Sequence, residues 1–428
     1  MEVLERLIGD IALPKMVRVR QRFADDHVAD VAAAVVEGIE APAIAERIRP
    51  GMSVAIAVGS RGLADLPTLV AATVKALKAA GAEPFIVPAM GSHGGATAEG
   101  QALLLNGMGV TEGAVGAPIR SSMETVSLGN LPNGLPVLMD RHAMEADGIV
   151  VINRVKAHTS FSAPIESGLA KMITIGLGKQ DGAASCHAMG FAHMAGNVVD
   201  MARVKLETCK ILFGVATVEN GYDRICRVEV VPAEAILTRE PELLKESKAR
   251  MPRIMFDPLD VLVVDKMGKE FSGTGMDPNI TGRATTSLVQ SRLSVTRMVV
   301  LDLTAKGGGN ATGIGLADAT TRKLYEKIDL VATYANHITS TVMSGCKIPM
   351  ILNSDRMAIM ACIRTANVMD LSTLRLVRVP NTLHIGEIQI SEALLPDARA
   401  NPDIEILSEP EAMVFDAAGD FAELEAAH

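Results

Sequence analysis

Two short glycine-rich turns in the first quarter of the sequence each carry a side chain that could do chemistry. They are Gly59-Ser60-Arg61-Gly62 and Gly91-Ser92-His93-Gly94-Gly95, and each follows an apolar run. Backbone N–H groups in such turns bind anions, and the forked guanidinium of Arg61 suits a carboxylate or a phosphate. A histidine among glycines can act as an acid or a base near neutral pH. Either turn, taken alone, is also compatible with an ordinary surface loop.

The segment from Asn153 to Gly190 is the richest in reactive side chains. Lys171 lies in an apolar stretch. A lysine partly removed from water there would have a lowered pKa and be a competent nucleophile. The alternative is a lysine at a helix edge whose ammonium reaches solvent. Cys186 and His187 could bind a metal, but a metal site usually needs three or four ligands, and we interpret Cys186 as a small buried hydrophobic residue. The segment also contains His158, Glu166 and Lys179.

A long loop that bears charge and glycine, Lys266–Asn279, follows an apolar run in the second half of the chain. Either Lys266 or Lys269 could bind an anionic group of a substrate or cofactor, and a flexible exposed loop is the alternative. Gly307-Gly308-Gly309-Asn310 lacks the glycine spacing and the downstream acid of a dinucleotide-binding turn.

The elements around these residues predict an α/β fold. Apolar runs at 53–58, 84–87, 148–153 and 211–218 alternate with helix candidates such as 30–48 and 67–80, and Thr97 is a candidate N-cap. Fully apolar strands between helices are typical of mostly parallel sheets covered on both faces, where ligands bind beyond the carboxyl ends of the strands. Those ends carry polar side chains: Arg61, His93, Lys156 with His158, Glu219 and Lys266.

The pattern changes at Pro252–Pro258, where a charged helical segment stops and a new strand, 261–265, follows. We therefore predict two α/β domains with the active site in the cleft between them. The first spans residues 1–255 and carries the cofactor and the histidines. The second spans 256–400, with a strand at 298–302 and a helix at 317–335, and the tail, about 400–428, is expected to pack back on the first.

Composition excludes several classes of function. The net charge of −9 disfavours nucleic acid as a partner, and no apolar run reaches the roughly 18 residues that span a bilayer. The N-terminus lacks the pattern of a secretory signal. Five cysteines, an odd number without a CxxC pair, indicate reduced thiols. We expect a cytoplasmic protein; its oligomeric state stays open.

Read in order, Gly59-Ser60-Arg61, Gly91-Ser92-His93, His158, Lys171 and His187 resemble the nickel-dependent lactate racemase family. The resemblance covers most of the first domain and is weaker over the second. It implies two α/β domains with the site between them. It also implies a nickel-pincer nucleotide, a pyridinium-3,5-bisthiocarboxylic acid mononucleotide whose two thio-acyl groups hold nickel, made by separate biosynthetic enzymes.

The same resemblance implies a role for each matching residue. Lys171 would bind the cofactor covalently, and His187 would be the nickel ligand. His93 and His158 would be the acid/base pair. Arg61 would bind the substrate carboxylate, with Lys266 and Lys269 as further candidates, and the turn around Gly59 and Ser60 would hold the nucleotide phosphate.

This chemistry suits a 2-hydroxyacid racemase or epimerase. The C2–H bond of a hydroxyacid is barely acidic, so its removal as hydride, while a histidine takes the hydroxyl proton, avoids a carbanion. A histidine on each face of the substrate is what inversion requires. Two alternatives stay open: a metal-free Schiff-base aldolase or decarboxylase using Lys171, and a non-catalytic metabolite- or nucleotide-binding protein.

Overall fold

The computed structural model describes residues 2–60, 62–421 and 424. The chain divides into two compact units. The first unit consists of Ala24–His158 and Ser162–Met251, and the second of Met1–Phe23, Thr159–Phe161 and Pro252–His428. The change of unit near Met251 lies close to the predicted boundary at 255. The assignment of the N-terminal residues to the second unit differs from the predicted range.

Helices and strands are numbered along the chain. The strands are β1 Met16–Gln21, β2 Ser53–Val58, β3 Glu83–Pro88, β4 Thr125–Asn130, β5 Pro136–Asp140, β6 Gly148–Arg154, β7 Ile211–Glu219, β8 Ile225–Pro232, β9 Leu259–Met267, β10 Val295–Leu303, β11 Ala319–Thr321, β12 Met350–Leu352, β13 Leu376–Val379, β14 Glu387–Ser391 and β15 Ile404–Ile406. The helices are α1 Glu2–Ile8, α2 Val31–Glu40, α3 Pro42–Ala45, α4 Leu66–Ala79, α5 Ala98–Gly107, α6 Glu112–Val115, α7 Arg141–Glu145, α8 Leu169–Lys171, α9 Lys179–His187, α10 Phe191–Thr208, α11 Ile236–Arg250, α12 Pro278–Thr281, α13 Arg322–Glu326, α14 Leu330–Ser340, α15 Asp355–Thr365 and α16 Leu395–Ala400.

The first unit is built on a five-stranded sheet of order β3-β2-β6-β7-β8, in which only β8 is antiparallel to its neighbour. Alternate residues of β2 face opposite cores. Ala55 and Ala57 share a core with Leu169 and Met172, which flank Lys171 in the sequence. The intervening residues pack with α2 and α4: Val54, Ile56 and Val58. The expected α/β sheet, covered on both faces, is therefore confirmed here.

The second unit contains an eight-stranded sheet of order β12-β11-β10-β9-β13-β14-β1-β15. Its first five strands are parallel, and β14, β1 and β15 join them in antiparallel pairs. The alternating burial of β1 fits a strand with one face on a core. Because β1 pairs with β14 and β15, the N-terminal residues belong with this sheet. The predicted first domain, residues 1–255, had included them.

The described part of the C-terminal tail also lies in the second unit, whereas we expected it to pack on the first. Strand β15 adds to the sheet beside β1. Farther on, the backbone N–H of Phe421 donates to Asp355 at 3.0 Å, and the Arg378 guanidinium lies 3.7 Å from the centre of the Phe421 ring. These contacts hold the tail, as far as Phe421, against the second unit.

The helix predicted at 317–335 is wrong. Residues 319–321 form β11 between β10 and β12, and two separate helices, α13 and α14, follow. Thr321 ends the strand and caps α13, because its hydroxyl oxygen accepts from the N–H of Leu324 at 3.1 Å. The helix predicted at 30–48 is likewise two helices, since the chain turns at Ala41 before Pro42.

Among the described residues, no helix is both long and apolar enough to cross a membrane.

Candidate functional site

His93 and Ser60 meet at the carboxyl ends of two neighbouring parallel strands. Strand β2 leads into Ser60 and β3 into the turn that carries His93, and the Ser60 hydroxyl is hydrogen-bonded to His93 Nδ1. Gly91 begins this turn with a φ of +57°, a conformation that favours glycine. A serine hydroxyl can donate to a ring nitrogen or accept from it. Ser60 can therefore keep this contact whether or not His93 carries a proton.

His158 follows β6, the other neighbour of β2, and its position depends on a buried carboxylate. Glu166 is 1% exposed and accepts from the backbone N–H of His158 at 2.7 Å and of Ala163 at 2.9 Å. Lys248 pairs with the same carboxylate at 2.5 Å. Glu166 thus closes the loop that begins at His158. Sequence reasoning named Glu166 among the polar residues of this segment without assigning it a role.

The role of the Glu166 carboxylate in holding the loop after His158 can be tested by substitution. We expect Glu166→Gln to lower the free energy of unfolding by about 1–3 kcal/mol, because the amide NH2 would face a backbone N–H that needs an acceptor. Lys248→Met is the matched control, and it should cost less because Lys248 is about a third exposed and both backbone bonds stay. Urea unfolding of both variants measures the difference. Equal losses would mean that the ion pair, rather than the backbone contacts, holds the loop.

Lys171 ends the three-residue helix α8, and a π-helical turn, Met172–Gly176, continues it. Two buried ionisable groups brace this segment. The Glu240 carboxylate accepts from the N–H of Ala170 at 2.8 Å, and burial raises the pKa of Glu240 to about 7. The Lys205 ammonium donates to the carbonyls of Ile173 at 2.9 Å and Thr174 at 3.1 Å, and burial lowers the pKa of Lys205 to about 7.

Such single π-turns are frequent at functional sites. Lys171 is half-buried at the edge of the braced segment. Its backbone is therefore fixed, while its side chain is accessible to a bound molecule. A lysine that links covalently to a cofactor needs both properties.

His187 and His158 both lie close to one aromatic ring. Phe191, the first residue of α10, has its ring centre 5.6 Å from that of His187 and 6.2 Å from that of His158. Burial, and then the nearby charge of Lys171, lowers the pKa of His187 to about 4. His187 is therefore a neutral imidazole at pH 7, the state that can bind a metal. Nothing in the sequence singled out Phe191.

The loops after β2 and β3 both reach the turn that follows Lys171. A Cβ atom on Gly59 would lie 2.6 Å from the Met172 methyl carbon, so the loop after β2 passes directly against the Met172 side chain. The N–H of Gly91 donates to the carbonyl of Gly176 at 3.3 Å. Lys171 also acts on the pKa of His187. The loops after β2 and β3 and the side chain of His187 are therefore all close to one segment, residues 171–176.

The remaining predicted residues are placed as follows. Arg61 lies outside the described residues. Lys266 and Lys269 belong to the second unit, at and just beyond the end of β9, and the Lys269 ammonium contacts the Asn336 side-chain oxygen. Cys186 is 0% exposed, and burial raises the pKa of its thiol to about 12. The interpretation of Cys186 as a buried hydrophobic residue is confirmed.

No group of three or more histidine, cysteine or acidic side chains that could hold a metal occurs in the part of the chain that the structure describes. The neutral imidazole of His187, close enough to Lys171 to feel its charge, fits a cofactor that carries a metal and links to a lysine.

The first unit is thus an α/β domain with basic and glycine-bearing loops at the carboxyl ends of its parallel strands. Residues 6–198 match the family model of the lactate racemase N-terminal domain. The resemblance to the lactate racemase family is confirmed over these residues.

Among solved structures, the chain is similar to the lactate racemase apoprotein from Thermoanaerobacterium thermosaccharolyticum. The TM-score is 0.48 at 14% sequence identity, over 77% of this chain and 85% of that one. None of the curated proteins compared matches the chain.

Proposed function

We propose that this protein is a 2-hydroxyacid racemase or epimerase that works with a nickel-pincer nucleotide. One observation carries the proposal. In a domain of the lactate racemase type, the loops that carry Ser60 and His93 approach residues 171–176, and Lys171 acts on His187. His187 and His158 both lie close to the Phe191 ring.

The residues are assigned to hold the cofactor as follows. Lys171 forms the covalent link, His187 is the protein ligand to nickel, and Gly59 with Ser60 lies at the nucleotide phosphate. The neutral state of His187 supports its assignment as the nickel ligand, because no proton must leave before a metal binds. When bound, such a cofactor supplies an electron-poor ring that accepts a hydride from C2 of the substrate and returns it.

The protein's own groups handle the substrate and its proton. His93 and His158 each exchange the hydroxyl proton for one enantiomer, so that the alcohol is deprotonated as C2 loses hydride and reprotonated when hydride returns. The contact to Ser60 and the backbone contact to Glu166 keep the two imidazoles in place. Arg61 binds the substrate carboxylate, with Lys266 and Lys269 as further candidates for its anionic groups.

The experiment compares protein made with and without the enzymes that synthesise the cofactor. We expect an added mass on Lys171 and about one nickel per chain only in the first preparation, which alone should invert one or more members of a 2-hydroxyacid panel. Inversion is followed by chiral chromatography, and intact mass with metal analysis follows the cofactor. Borohydride trapping of a ketoacid on the nickel-free protein would instead support Schiff-base chemistry. A loaded protein that inverts none of the panel would contradict the proposal.

A further inference from the structure

Three polar side chains next to the His93 turn are completely buried. Gln101, Lys179 and Asp140 are each 0% exposed. Charged side chains are almost never fully buried unless they are paired, because removal from water is costly. Apolar side chains at these positions would avoid that cost. The hydrogen bonds and the ion pair that these three residues make explain why they are polar.

Gln101 ties the His93 turn to helix α5. Its side-chain nitrogen donates to the carbonyl of Gly91 at 2.9 Å and to that of His93 at 3.2 Å. Both acceptors belong to the three residues that present the imidazole. One amide group therefore fixes both ends of this short piece of backbone, which otherwise consists of a glycine-bearing turn.

Lys179 decides which way the amide of Gln101 points. Its ammonium donates to the Gln101 side-chain oxygen at 3.3 Å and to the carbonyl of Pro88 at 2.5 Å. Lysine has no acceptor, so the oxygen of Gln101 must face Lys179 and the NH2 group must face the turn. Asp140 pairs with the ammonium at 3.0 Å and is itself held by the N–H of Ala143 at 2.8 Å.

The backbone of Lys179 supports a role for its ammonium. Lys179 has a φ of +54°, in the left-handed region where a side chain is strained. Glycine would take that conformation at no cost, so the local fold does not favour lysine here. A strained residue persists only when its surroundings require it, and in this protein the requirement is the buried ammonium between Asp140, Gln101 and Pro88.

We propose that Gln101, oriented by the buried Lys179–Asp140 pair, is a positioning residue for His93. It holds the backbone of the turn so that the imidazole stays against Ser60. The inference deepens the proposed function and rests on it for the acid/base role of His93. The placement of the ring by Gln101 is a property of the cofactor-free protein and is testable there.

The test is Gln101→Glu, a change of nearly equal size that keeps an acceptor toward Lys179 but sets a second oxygen against the two carbonyls of the turn. In full-length protein without cofactor, with ¹³C-labelled histidine, we expect the ring signals of His93 to shift or broaden. The signals of His158 and His187 should stay in place. His93→Asn and the corresponding variants of the other two histidines assign the signals.

The matched control is Asn197→Asp, the same amide-to-carboxylate change at another buried amide. Asn197 is 4% exposed and donates to the carbonyl of Cys186 at 3.2 Å, next to His187 rather than His93. Asn197→Asp should leave the His93 signals unchanged and alter those of His187.

In cofactor-loaded protein, Gln101→Glu should lower kcat by about 10- to 100-fold, the scale of a misplaced reacting group, with a smaller change in KM.

Unchanged His93 signals in a folded Gln101→Glu protein would overturn the inference. If that variant does not fold, Gln101→Met, which lacks both the charge and the donor, decides the question by the same signals. Failure of the proposed function would look different. In that case the cofactor-loaded protein would invert none of the 2-hydroxyacid panel, while the spectra of the cofactor-free protein would still report whether Gln101 places the His93 ring.

Discussion

Lys171→Ala is expected to abolish both racemisation and the covalent adduct while leaving the fold intact. The amine is the only group of this residue that the proposed link uses. Alanine suits the last position of helix α8, and the half-buried side chain leaves no large cavity when shortened. We therefore expect the free energy of unfolding to change by less than about 1 kcal/mol. Intact mass, chiral chromatography and urea unfolding measure the three quantities.

The matched control for this change is the other lysine that contacts the same segment. Lys205→Met would leave the carbonyls of Ile173 and Thr174 without their shared donor, and we expect a loss of stability of about 1–3 kcal/mol with the adduct retained. The two variants should thus distinguish the covalent link to the cofactor at Lys171 from the stabilisation of the segment by Lys205. An adduct that survives in Lys171→Ala would remove Lys171 from its proposed role.

The strands of the first unit were predictable because a strand buried on both faces leaves a continuous apolar run. The run at 53–58 is β2 as observed, and those at 148–153 and 211–218 lie within β6 and β7. Parallel order then brings the ends of β2 and β3 together, so the meeting of Ser60 and His93 follows from the sequence pattern.

The second unit was less predictable because its sheet depends on distant pairings. Strand β1 pairs with β14, residue Met16 lying opposite Ser391, and no local pattern can reveal a partner so far along the chain. The three-residue strand β11 was interpreted as helix for a related reason. The hydroxyls of Thr320 and Thr321 donate to the carbonyls of Val300 and Leu301, contacts that exist only once β10 is in place.

The candidate site divides in the same way. Residue types that could do chemistry, such as His93 and Lys171, were recognisable from their neighbours in the sequence. The roles of Gln101, Glu166 and Phe191 were not, because each acts through a contact that only the folded chain creates. Glutamine in a helix and phenylalanine at a helix start are ordinary, and nothing about their sequence neighbours distinguishes these two from others.

His93→Asn and His158→Asn are each expected to reduce racemisation by about 10²- to 10⁴-fold, the usual effect of removing a general acid or base. Net inversion needs a proton acceptor and donor for both enantiomers, so the loss of either histidine should stop it. Each variant should nevertheless still oxidise the one enantiomer that its remaining histidine serves. The two variants should therefore show opposite preferences for enantiomers.

Single-turnover oxidation of each enantiomer to the ketoacid, quantified after quenching, reveals that preference. His193→Asn is the matched control, since His193 is exposed on α10 and has no part in the proposal. It should racemise at the normal rate. Glu166→Gln should resemble a weakened His158 variant, because it frees the backbone at His158 without removing the ring. If His158→Asn racemised normally from both enantiomers while His93→Asn did not, the proton on the second face would have to be carried by another group, and the pairing of the two histidines would be wrong.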